Sequence, residues 1–95
     1  MSRCQWVITV DHITQGKRVG TMGPWDAELS AEEIQHHPKG QPFRLKDDDG
    51  QLNFEGVYVG PDDGDLFAPL DDFGMPDAGC TQILYQDSRG RWEFL

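Results

Sequence analysis

Hydrophobic and polar residues alternate at the start of this chain: Trp6, Ile8 and Val10 interleave with Val7, Thr9 and Asp11. A period of two is that of a β-strand with one buried face, and it predicts a strand over residues 4–14. Gln15-Gly16 offers a tight turn, from which Lys17 to Met22 is expected to run back as a second, more polar strand. Ser30-Ala31-Glu32-Glu33 then reads as a capping box, in which the serine hydroxyl and the glutamate carboxylate each satisfy an orphan backbone N–H. Leu29 and Ile34 fit a hydrophobic staple around it. Pro38 disfavours helical geometry in the residue before it and Gly40 follows, so one short helix of about two turns is predicted over about 30–37.

Further along, Phe43 and Leu45 alternate with Arg44 and Lys46, Asp47-Asp48-Asp49-Gly50 supplies turn chemistry, and Leu52 and Phe54 resume the alternation. This predicts a hairpin. The apolar parity moves to Val57 and Val59 after Gly56, as a bulge residue inserted there requires. A closing hairpin pairs Cys80–Gln86 with Arg91–Leu95 around Ser88-Arg89-Gly90. Residues 61–79 show neither period; they combine six Gly or Pro, six Asp and the apolar set Leu66, Phe67, Leu70, Phe73 and Met75. The expectation is a long acidic loop anchored by its own apolar side chains. The fold class is therefore α+β: a mainly antiparallel sheet of four to six strands built from hairpins, one short helix and that loop, with a small curled barrel-like sheet as the alternative.

Length and composition fit one domain over residues 1–95. A chain this short buries only about 60–68% of its unfolded surface and has no material for a second core. Ten aromatic residues and 37% hydrophobic residues give it enough to bury. The N-terminal residues lack a leader-like apolar run and no stretch reaches membrane-spanning length, so a cytoplasmic protein with no membrane partner is expected. Cys4 and Cys80 are too few for a disulfide scaffold and show no CxxC spacing; two reduced, buried thiols are the expectation.

Net charge is −9, and its placement matters more than its size. Residues 47–88 hold eleven carboxylates and no Lys or Arg. Nucleic-acid affinity comes from cations that neutralise phosphates, so direct binding of DNA or RNA is not expected. A basic protein surface suits the same field.

Neither Asp47-Asp48-Asp49-Gly50 nor Asp62-Asp63-Gly64-Asp65 meets the calcium-loop spacing, since a glycine at the sixth position would put Leu45 or Val59 at the first. His36 and His37 point about 100° apart on a helix and suit its C-terminal dipole better than one metal. His12, Cys4 and Cys80 match no zinc spacing, and His12 with Cys80 as base and nucleophile is a pairing that any chain with these residues permits. Gly16 to Gly23 lacks the Gly-Lys-Ser/Thr ending of a phosphate loop. No metal or cofactor is expected.

What remains is a partner surface of Asp62, Asp63, Asp65, Phe67, Leu70, Asp71, Asp72 and Phe73, in which apolar anchors sit inside an acidic rim. The leading expectation is a non-enzymatic binding module for a basic protein surface, including inhibition by nucleic-acid mimicry. A small metal- or His-dependent enzyme and a homo-oligomeric structural protein are the alternatives.

Overall fold

The computed structural model describes residues 4–24, 28–60 and 64–95. Six strands form one antiparallel sheet: β1 (Gln5–Asp11), β2 (Met22–Gly23), β3 (Gln41–Lys46), β4 (Leu52–Val59), β5 (Gln82–Gln86) and β6 (Trp92–Phe94), in the order β2-β1-β4-β3-β5-β6. The sheet is open, with β2 and β6 as its edges, so the α+β architecture holds and the barrel-like alternative does not. Among the described residues, no helix is long and apolar enough to cross a membrane.

Strand alternation sends Trp6 and Ile8 to one face and Val7 to the other. The first face meets Phe43, Leu45, Phe54, Tyr58 and Ile83 in the main core. On the second, helix α1 (Ala31–Gln35) crosses β1 and β4, and Ile34 and Val7 are buried outside that cluster. The capping box is present: the Ser30 hydroxyl accepts from the Glu33 N–H at 3.1 Å, and the Glu33 carboxylate accepts from the Ser30 N–H at 3.0 Å. These bonds hold the Glu33 carboxyl below its ordinary pKa. The helix stops at a His36 cap, and His37 Nδ1 accepts the Lys39 N–H rather than lying over the helix end.

The two later hairpins share one turn. Asp47 Oδ1 accepts the N–H groups of Asp49 and Gln51, and Asp87 Oδ1 those of Arg89 and Arg91. In each turn the fourth residue, Gly50 or Gly90, takes the left-handed conformation that its missing Cβ allows. The governing aspartate is thus the first of the run.

Three expectations are corrected. The strand predicted over 4–14 ends at Asp11, and Lys17–Met22 forms no second strand; only Met22–Gly23 pairs with β1. Asp11 is the reason. Its carboxylate accepts from the N–H groups of Ile13, Thr14 and Arg18 and from the Thr14 hydroxyl, so these backbone donors are satisfied locally rather than across a ladder.

The bulge expected at Gly56 lies elsewhere. The register slips at Thr9 in β1 and at Asn53 in β4, while Phe54, Gly56 and Tyr58 continue on the core face. Gly56 marks a close approach, since a Cβ there would stand 2.2 Å from the Val7 carbonyl oxygen.

The 61–79 segment, expected to be loop, is helical over most of its second half. A π-helical turn (Leu70–Gly74) runs into α2 (Met75–Ala78), closed by Gly79 at φ 67°. Leu66, Leu70 and Phe73 follow helical spacing, and Pro69 and Pro76 each sit in a first turn, where a missing N–H costs least. The anchoring itself is as expected: Ala68, Leu70 and Phe73 join the core, and the hydroxyl of the partly buried Tyr85 donates to the Leu66 carbonyl at 2.7 Å.

Candidate functional site

Phe73 is the residue on which the site is built. Its ring packs edge-on against Phe54 at 4.8 Å between centroids and lies 5.9 Å from Trp6, so the π turn is clamped to the sheet through three aromatic rings. The clamp brings the turn against β2, and a cleft of about 400 Å³ opens between them. Trp6 and Phe73 form its floor. Thr21, Met22, Gly23 and Pro24 make one wall, and Asp72 and Asp77 the other.

Residues 12–20 bring a cation to this cleft. Because Asp11 binds the Arg18 N–H at 3.0 Å, the backbone at Arg18 is fixed close to the end of β1. The guanidinium then reaches Asp77 at 3.4 Å and stands over the Phe73 ring at 5.8 Å from its centroid. Burial of Asp11 opposes its ionisation, but the bonds from Thr14, Ile13 and Arg18 outweigh that cost and hold the carboxyl at about 2.

Charge in the cleft is unbalanced. Arg18 offsets Asp77, while Asp72 carries no ion pair among the described residues. Trp6, 2% exposed, also holds an unsatisfied donor: its Nε1 is buried with no hydrogen-bond acceptor among the described residues. The Cε2–Nε1 edge of the indole lies directly against Gly23, where an added Cβ would stand 2.8 Å from Nε1 and 2.3 Å from Cζ2. A buried N–H left in this way costs about 1–3 kcal/mol.

The residues singled out by sequence separate into groups. Asp62 and Asp63 lie outside the described residues. Leu70 and Phe73 are core side chains, so neither offers a partner a free ring or branch, although Phe73 reaches the cleft floor. Asp65, Asp71 and Asp72 are exposed on the π turn and its approach, beside Phe67 at 44% exposure and Met75 at 50%. Asp65 also accepts the Phe67 N–H at 3.1 Å, which fixes the approach.

His12, Cys4 and Cys80 do not assemble. His12 Nε2 pairs with Glu55 at 2.8 Å, and Glu55 also takes Arg44, whose guanidinium carbon stands 3.9 Å from the centroid of the Trp92 ring. Cys80 is in the core beside the Asn53 amide, and burial pushes its thiol pKa up, away from a nucleophilic thiolate. Among the described residues, no three His, Cys, Asp or Glu side chains converge as a metal ion would require.

Sequence reasoning missed Asp11, Arg18 and the Thr21–Pro24 wall. An aspartate with a threonine three residues on, Asp11 and Thr14, was the available signal for a side-chain-capped turn. Nothing in the sequence announces an orphan indole N–H. Compared with known proteins, the chain matches no protein family, no curated protein and no solved structure.

Proposed function

We propose that this protein is a non-catalytic binding module that receives a basic partner protein on the face formed by residues 64–79. One observation carries the reading: Asp65, Asp71 and Asp72 stand in water without cation partners among the described residues, around the exposed Phe67 and Met75. Carboxylates placed in this way raise the local concentration of a cationic partner and orient it, and the apolar groups give it something to bury. Two free cysteines support placing the module in a reducing compartment such as the cytoplasm.

The test separates a defined face from general acidity. A library of lysine- and arginine-rich peptides is bound at low and at physiological salt to the parent, to an Asp65→Asn/Asp71→Asn variant and to an Asp48→Asn/Asp49→Asn variant. Both variants lose two charges. The reading expects a drop of about tenfold for the first pair and about twofold or less for the second, both fading with salt. Equal losses reduce the effect to net charge and overturn it.

A further inference from the structure

The side of the sheet opposite the main core is only half covered. Residues facing one another on antiparallel strands share a side, so Arg44, Leu84 and Phe94 form one row across β3, β5 and β6, with Trp92 in the next row. Leu45 points into the core, which sends Arg44 and Lys46 outward. Helix α1 packs on β1 and β4, and a helix about 10 Å wide covers about two strands. Over β3, β5 and β6 this leaves Phe94 66% exposed, with Leu95 exposed beside it.

Charge sets this half apart within an acidic chain. Its outward strand positions hold two cations, Arg44 and Lys46, and no carboxylate. Arg44 is shared with Glu55 of β4, while Lys46 has no ion pair among the described residues. The 64–79 segment lies on the other side of the sheet and has the complementary content. The Asp71 N–H donates to the Phe67 carbonyl at 2.9 Å, one helical turn back, and Met75 follows four residues on. Phe67, Asp71 and Met75 therefore run along one side at steps of about 6 Å. Phe94 stands two strands, about 10 Å, from Arg44. The long side chains of Arg44 and Lys46 span the difference, so a carboxylate can meet them while Phe67 or Met75 covers Phe94.

We infer that the basic surface received by the 64–79 face is on a second copy of this chain: the outer side of its β3, β5 and β6. This rests on the partner-binding reading above and identifies the partner. Because the two surfaces lie on opposite sides of one sheet, the contact is head to tail. A pair of molecules leaves one surface of each kind free, and a third can add. The net charge of −9 repels copies at long range, but at about 0.15 M salt that field fades over about 8 Å and the facing groups decide.

Sedimentation of the full chain at about 0.15 M salt provides the test. The parent should be monomeric at about 10 μM and gain mass continuously, past the dimer, toward about 1 mM. Asp71→Asn/Asp72→Asn should weaken association about tenfold, even though removing two negative charges lowers the general repulsion. Lys46→Gln/Phe94→Ser should weaken it about as much. Each variant keeps one surface intact, and not the same one. Mixed in equal amounts, they should pair at the parent's affinity and stop at two.

A parent that stays monomeric overturns the inference. So does either variant associating as the parent does, which a two-fold contact through one face would allow, or a mixture that does not recover. If Lys46→Gln/Phe94→Ser does not fold, Phe94→Ser alone takes its place. A chain that is monomeric throughout, yet loses basic peptides selectively in Asp65→Asn/Asp71→Asn, sinks this inference and leaves the wider reading standing.

Discussion

Two stretches of the acidic segment use the same side chain in opposite ways. At 47–49, a carboxylate is spent on the backbone: Asp47 accepts two N–H groups and closes a hairpin. At 65–77, Asp71 and Asp72 close nothing and stand out from a π turn held by Phe73 beneath them. The difference shows that a run of aspartates is not one feature. What decides its use is whether the adjacent backbone has donors left unsatisfied. A turn does, whereas a helical segment satisfies most of its own.

The contrast is broken most severely by removing what supports the second stretch. Phe73→Ala should cost about 3–5 kcal/mol in urea denaturation, because it leaves a cavity among Trp6, Phe54 and the π turn. Hydrogen exchange should show amides 70–78 losing more protection than those of β3 and β4. Uniform loss would mean that the π turn is no separate unit.

Asp11→Ala should cost about 2 kcal/mol, since it frees three backbone donors and a hydroxyl at once. Its pH dependence has a definite sign. A folded carboxyl at about 2, against about 3.9 in an unfolded chain, stabilises fully above the unfolded value, and the effect is lost as pH falls through about 2. Urea midpoints of the parent and of Asp11→Asn should differ at about pH 6 and converge toward about pH 2. A constant gap would remove the carboxylate from the account.

Asp47→Ala should cost about 1 kcal/mol, comparable to the loss of a helix cap, and should leave peptide binding at the 64–79 face unchanged. Smallest is Arg18→Ala. Its partly exposed ion pair with Asp77 contributes about 0–1 kcal/mol and should fade in high salt. It should nevertheless strengthen binding of basic peptides, because it removes the cation that competes for Asp77.

How much of this was legible follows from which signals were local. The capping box at Ser30 and Glu33 and the hairpins around Gly50 and Gly90 could be read because their donors and acceptors lie within a few residues of one another. The helical turns at 70–78 were hidden by Pro69, Gly74 and Pro76, which signal breaks when counted singly. Their positions in first turns and the spacing of Leu66, Leu70 and Phe73 said otherwise. The short β2 was lost to a competition that periodicity does not record, that of the Asp11 carboxylate against a strand ladder. The cleft required tertiary placement, because Trp6 and Asp72 are sixty-six positions apart and meet only through the Phe73 clamp.

The sheet's two edges, β2 and β6, have two and three residues. So little free backbone gives a visiting strand almost no rungs to add to, and a fibril almost no template to grow from. On the partner-binding reading proposed above, recognition therefore falls to side chains. Partner choice in this protein should then be alterable one substitution at a time, without touching the hydrogen-bond ladder that keeps it folded.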